Sequence, residues 1–162
     1  MRPITPCLWF NKNALEAVRF YVSVFKNSKI KRIVYYPKSD LPYHRGMEGK
    51  PLLIEFTLAG RPFSALNGGP EFKPTEALSL QIWCKTQKEA DGYWNKLSKG
   101  GDKRAQVCGW LKDKYGYSWQ IGPQDIGKWL SAKDPSRRAR VFARITGRKL
   151  DFKKLEAAYK GR

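Results

Sequence analysis

Histidine occurs once in this 162-residue chain, at His44. Imidazole is the usual ligand or base in metal-dependent and hydrolytic mechanisms, so any such chemistry would have a single ring to work with. Cysteine is scarce as well. Cys7, Cys84 and Cys108 are odd in number and lack a CxxC spacing, which argues against a disulfide framework or a zinc site and for three reduced core thiols. Acidic side chains are outnumbered, 14 against 32 Lys and Arg, for a net charge of +18. Such a surface attracts nucleic acid, acidic ligands and anionic surfaces, and it repels cations. No apolar run approaches the roughly 20 residues of a membrane span. No charged-then-apolar leader precedes Ile4, so the expected location is cytoplasmic with no membrane partner. No strand is followed by a GxGxxG-type loop that opens a helix.

What the chain does have is a pattern stated twice. A strand-like run over residues 4–10 leads to a helix carrying Tyr21 and Phe25, and a run over residues 78–84 leads to a helix carrying Tyr93 and Trp94. The strand ends are 74 residues apart, and Tyr21 and Trp94 are 73 apart. Each copy then passes through short β-rich segments to a Gly/Pro turn, over residues 52–70 and 107–123. A duplicated unit follows: module one at 1–74, module two at 75–124, the pair filling 1–124. With 41% hydrophobic and 14% aromatic residues the chain can bury a core without staples. Residues 125–162 hold twelve basic and four acidic residues and read as a basic helical C-terminal extension.

Local signals refine the pattern. Asn11 or Asn13 is a plausible N-cap before an apolar stripe of Ala14, Val18, Tyr21 and Phe25. Residues 29–36 read as a strand, 37–49 as a loop holding His44, and 52–58 with 63–66 as a hairpin across Ala59-Gly60-Arg61-Pro62. Thr86 and Glu89 match a capping box ahead of Ala90, Tyr93, Trp94 and Leu97, with Gly100 and Gly101 closing that helix. Trp110 and Leu111, a turn over 113–116 and a strand over 117–121 complete the module. Asp134-Pro135 opens a helix, and Asp151 caps a last one running through Tyr159.

A family resemblance rests on specific residues. Leu8, Trp9 and Phe10, the helix from Ala17 to Tyr21 with Phe25, Asn27 and Ser28, the run Ala65 to Pro70, and Ser79 to Gln81 carry its first part. Tyr93 and Trp94 with Gly100 and Gly101, Cys108 to Asp113 with Gly116, and Ser118 to Ile121 carry the rest. Together they resemble the PhnB-like branch of the vicinal oxygen chelate superfamily, which also holds glyoxalase I, extradiol dioxygenases and bleomycin-resistance proteins. The resemblance implies an α+β fold of two βαβββ modules forming a half-open mixed sheet around a cleft, and a homodimer. In metal-dependent members the ligands come from the first and last strand of each module. The matching positions here are Thr5, Ser79, Gln120 and, as the nearest first-module counterpart, Asn67. None is His or carboxylate, so no metal and no cofactor are expected. The branch also carries the name 3-demethylubiquinone-9 3-methyltransferase, but no residue pattern here supports methyl transfer.

Alternation along strands groups Thr5, Cys7 and Trp9; Ser79, Gln81 and Trp83; Ala65 and Asn67; and Ser118 and Gln120. Facing a cleft, these would bind a small polar or aromatic molecule between amides, hydroxyls and indoles; facing a core, they would be satisfied buried polar groups. The expected function is metal-free small-ligand binding. One alternative is a lyase- or dioxygenase-type enzyme of unknown substrate, with Gln81, Gln120 and Asn67 polarising a carbonyl. The other is polyanion or nucleic-acid binding through a helical stripe of Arg137, Arg140, Arg144 and Arg148, with Lys153 and Lys154 beyond. A catalytic Cys7/His44 pair has no support in sequence spacing.

Overall fold

The computed structural model describes residues 4–162, apart from the Tyr43 side chain. The chain divides into two compact units, the first running to Lys73 and the second from Pro74 to Arg162.

The first unit contains β1 (Cys7–Phe10), α1 (Ala14–Val24), β2 (Lys29–Tyr35), β3 (Pro51–Leu58) and β4 (Arg61–Asn67). Its sheet has the order β1-β4-β3-β2, parallel between β1 and β4 and antiparallel elsewhere. Ala14, Ala17, Val18, Tyr21 and Val24 form the buried face of α1, which packs on β3 and β4. Beneath it lie Leu8, Phe10, Ile54, Phe56 and Ala65, all nearly inaccessible. Phe25 is buried too, but as the extended C-cap rather than on the helix. The β3–β4 connection is a two-residue turn with positive φ at Ala59 (48°) and Gly60 (80°), the mirror-image geometry that matches strand twist. Ala59 bears strain that glycine would not; Ser28 Oγ accepts from its N–H at 2.9 Å, and Asn27 O accepts from Gly60 N–H at 2.8 Å. β2 is an edge strand whose pairing shifts between Ile30 and Arg32 and again between Val34 and Tyr35.

The second unit contains β5 (Ser79–Cys84), α2 (Gln87–Leu97), β6 (Trp110–Lys112) and β7 (Ser118–Pro123), followed by α3 (Ile126–Leu130), α4 (Pro135–Phe142) and α5 (Phe152–Lys160). The sheet order β5-β7-β6 repeats the parallel and antiparallel pairings of β1, β4 and β3. The fold class stands as expected, but the second module has one strand fewer. In place of a counterpart to β2 there is a 3-10 turn at Lys103–Ala105 and an isolated bridge between Val107 and Trp110. The physical reason is composition: residues 98–109 hold three glycines and a run of charges, whereas β2 is built from Ile, Val and Tyr, which suit a pleated surface.

The capping box forms. Thr86 Oγ1 accepts from Glu89 N–H at 3.2 Å, and Glu89 Oε2 accepts from Lys85 N–H at 2.9 Å, one residue before the cap. Asp113 organises the β6–β7 hairpin. Buried, it accepts from Tyr115 N–H (2.8 Å), Tyr117 N–H (3.1 Å) and Trp119 Nε1–H (2.8 Å).

The C-terminal helices share a small core of Trp129, Val141, Leu150, Leu155 and Ala158. They are tied to the rest of the second unit. Gly147 O accepts from Cys108 N–H at 2.7 Å, Arg148 O from Gly109 N–H at 3.0 Å, and Gln87 Oε1 from Phe152 N–H at 3.0 Å. Lys149 Nζ pairs with Asp91 Oδ1 at 2.6 Å. Among the described residues no helix is long and apolar enough to cross a membrane.

Of the three cysteines expected in the core, only Cys84 is fully buried; Cys7 is exposed and Cys108 is intermediate. β1 starts at Cys7 rather than at residue 4, which leaves Cys7 at the strand's first, accessible position.

Candidate functional site

Registers in the second sheet sort its residues onto two faces. Leu111, Trp119 and Ile121 are buried on the face that takes α2, which packs on β5, β6 and β7. The opposite face carries Ser79, Gln81 and Trp83 on β5, paired in register with Ser118, Gln120 and Gly122 on β7, and Trp110 and Lys112 on β6 beside Gln120 and Ser118. Five of the residues grouped by alternation in the sequence, Ser79, Gln81, Trp83, Ser118 and Gln120, thus meet on one surface. Gln120 Nε2 donates to Ser79 Oγ at 2.7 Å. Gln81 is exposed, and Trp83 keeps 45% of its surface accessible. The Trp83 ring lies over Gly122, where an added Cβ would approach it to 3.1 Å and would stand 3.4 Å from Leu150 of the C-terminal segment.

A cavity of about 270 Å³ opens beside this face, walled by Ala105, Val107, Trp110, Leu111, Ser118 and Glu76. Ser118 is 2% exposed, and its buried hydroxyl has no hydrogen-bond partner. Glu76 forms an ion pair with Lys112, and the Lys112 ammonium holds the Glu76 carboxyl below its ordinary value. Charge at the cavity mouth is therefore balanced, leaving hydroxyl, amide and indole groups to make contacts. Trp110, Lys112 and Glu76 were not among the expected cleft residues, because only the register of β6 against β7 sets Trp110 and Lys112 beside Gln120 and Ser118, and only the ion pair with Lys112 brings Glu76 there.

The first-module residues behave differently. Thr5 is exposed and lies before β1. Cys7 and Trp9 share the face away from α1, and the in-register partner of Cys7 on β4 is Ser64. The pairing of Gln81 with Gln120 occupies the same place in the second sheet, so Ser64 rather than Asn67 is the topological counterpart of Gln120. Trp9 donates its Nε1–H to Gly69 O at 2.9 Å and meets Phe72 edge-on at 4.8 Å. Ala65 and Asn67 are paired with Leu8 and Phe10, on the helix side of the sheet. Asn67, 2% exposed, accepts from Ala14 N–H at 2.9 Å and donates to Pro51 O at 2.9 Å. It satisfies a first-turn donor of α1, a task that Asn13 at the N-cap leaves undone. Its amide is a structural clamp.

The superfamily's metal chemistry does not fit these residues. Of the four expected ligand positions, one precedes its strand, one is a clamp on the helix side, and Ser79 and Gln120 are neutral groups bonded to each other. Among the described residues no three His, Cys, Asp or Glu side chains form a metal-holding group.

The arginine stripe is not a single helical face. α4 ends at Phe142, because residues 143–147 turn off into a bend with Gly147 at φ 73°, so Arg144 and Arg148 lie beyond it. Arg137 stacks on the Tyr159 ring at 4.9 Å, and Arg140 donates to Ala158 O at 3.1 Å and to Ser136 Oγ at 3.2 Å. Two of the four arginines therefore hold α4 to α5, and Arg144 and Arg148 remain exposed.

Comparison with known proteins bears on the family and the fold. The chain is similar to the PhnB protein of Bacillus cereus, at 34% identity over 75% of this chain and 99% of that one, with a TM-score of 0.64. It is similar in fold to protein PA1353 of Pseudomonas aeruginosa (20% identity, 77% and 100% coverage, TM-score 0.60). A fosfomycin resistance protein, FosX, of Listeria monocytogenes shares the fold at 14% identity, 81% and 98% coverage and a TM-score of 0.52. No protein with a curated description matches. The model of the family described as 3-demethylubiquinone-9 3-methyltransferase matches residues 2–122, and the helices from α3 onward lie past its end. With that match over most of its length, the chain belongs to the 3-demethylubiquinone-9 3-methyltransferase family of PhnB-like, glyoxalase-fold proteins.

Proposed function

We propose that the chain binds a small, uncharged polar or aromatic organic molecule on the β5-β7-β6 face, without a metal. The observation that carries this reading is the Ser118 hydroxyl, buried and unpartnered beside a cavity walled by Trp110 and Val107. Leaving such a group unsatisfied costs roughly 1–3 kcal/mol, and a ligand that hydrogen-bonds it would recover part of that cost. Indole surfaces supply apolar contact, and the Gln81 and Gln120 amides supply orientation. A neutral ligand suits a mouth where Glu76 and Lys112 already compensate each other.

Ser118→Ala separates binding from structure. It removes an unpaired hydroxyl, so the free protein is expected to melt at the same or a higher temperature, while affinity for a neutral aromatic probe such as benzamide falls several-fold, read by tryptophan fluorescence. A lower melting temperature together with unchanged affinity would sink the reading. Native mass spectrometry of the purified protein reports in one spectrum the subunit number, for which family likeness suggests a homodimer, and any small adduct. A stoichiometric divalent metal there would redirect the search to lyase or dioxygenase chemistry.

A further inference from the structure

The only histidine of the chain lines a second cavity, which belongs wholly to the first unit and does not rest on the reading of the β5-β7-β6 face. The cavity measures about 350 Å³, within the range of small-molecule sites, and lies where the parallel strands β1 and β4 both end. Its apolar lining includes Met47, Leu52 and Leu66, and its polar lining includes Lys12, His44 and Glu71. With Tyr36, which also lines it, the cavity draws on four separate stretches of chain, 11–12, 36, 44–52 and 66–71, so nothing in the linear sequence groups them.

The walls are held in place. The Tyr36 hydroxyl donates to Asn67 O, and the Tyr36 ring meets the imidazole edge-on at 5.3 Å. His44 Nδ1 is 3.0 Å from Ser39 Oγ. On the other side Trp9 is bonded to Gly69 O at 2.9 Å, and its ring fills the space a Cβ on Gly68 would need. Gly69, at φ 101°, leaves room for the Glu71 carboxylate, which would stand 2.4 Å from an added Cβ. Both glycines therefore shape this wall.

We infer that this cavity binds a small zwitterion with an apolar body, of the free amino acid type: its carboxylate on Lys12, its ammonium on Glu71 and its side chain against Met47, Leu52 and Leu66. A simple anion would meet the Glu71 carboxylate and a simple cation would meet Lys12, whereas a ligand with both charges is complementary to both. His44 offers it a third polar contact.

One histidine gives one set of imidazole resonances, so NMR of that ring reads occupancy directly in the intact protein. Titration with L-phenylalanine at 0.15 M salt is expected to shift the His44 signals saturably. N-acetylphenylalanine, which lacks the ammonium, and phenylalaninamide, which lacks the carboxylate, are each expected to bind at least tenfold more weakly. In Glu71→Gln the penalty for acetylation should vanish, and in Lys12→Gln the penalty for amidation should vanish. Both side chains are exposed, so neither change threatens the fold. The proposal is overturned if phenylalanine leaves the imidazole unmoved, if all three compounds bind alike, or if the two variants retain the wild-type order.

Discussion

Cys84 and Cys7 show how position sets the chemistry of one residue type. Burial pushes the Cys84 thiol up to about 12, with the Glu89 carboxylate adding to the effect, while Cys7 opens β1 at the surface. Because the thiolate is the reactive form, iodoacetamide at pH 8 is expected to modify Cys7 within minutes and to leave Cys84 intact until the protein unfolds, as peptide mapping would show. Cys108, whose Sγ–H donates to Ile145 O at 3.3 Å, should fall between them. Sequence alone had put all three in the core, because free cysteine is usually buried; the late start of β1 decides the case of Cys7. Asn67 teaches the converse. Its amide looked like a cleft group, but the register with Phe10 turns it toward α1, where it answers a backbone donor. One residue of register is the difference between a ligand contact and a helix clamp, and no sequence signal reports register.

At the scale of elements, the sequence made the helices legible because caps and stripes are local. The Thr86/Glu89 box, the Asp134 and Asp151 caps and the apolar spacing of α1 all lie within a turn or two of chain. What escaped was the missing fourth strand, since a family pattern promised it and only the glycines and charges of residues 98–109 argued against it. The stop of α4 at Phe142 escaped too, and with it the broken arginine stripe. The docking of the C-terminal helices yields a pH expectation. Lys149 holds the Asp91 carboxyl below its ordinary value of 3.8, so the pair stabilises docking above that pH and the contribution disappears as pH falls through the lowered folded value. Both side chains are about two-fifths exposed, so solvent screening keeps the effect within roughly 0.2–1 kcal/mol. Protection factors of the α5 amides, taken relative to the intrinsic exchange rate at each pH, are expected to fall below about pH 4 in the wild type, and Asp91→Asn should already show the lower protection at neutral pH.

For the whole molecule, duplication was visible in the spacing of strand ends and helix aromatics, and it fixed the fold class. The candidate site was half visible. Ser79, Gln81, Trp83, Ser118 and Gln120 could be named from alternation, but their neighbours on β6 and the entire His44 cavity depend on contacts between distant segments. The net charge of +18 makes retention on heparin a certainty of electrostatics rather than a sign of specificity. Its origin can be dissected. Replacing Arg144 and Arg148 by Gln should lower the salt needed for elution with no change in melting temperature, because both are exposed. Replacing Arg137 and Arg140 should lower the melting temperature, because those two hold α4 against α5.

The irregular pairing of β2 has a consequence for life at high concentration. An edge strand offers unpaired backbone groups to any other chain, and positive charge and breaks in register are two devices that make such an edge a poor template. β2 uses both: Lys29, Lys31 and Arg32 stand along it, and its pairing slips twice in seven residues. The same lysines that inflate the protein's charge are thus placed to discourage fibril-like growth from its first sheet, and a variant neutralised along β2 is expected to keep its fold while aggregating sooner, as light scattering on concentrated samples would show.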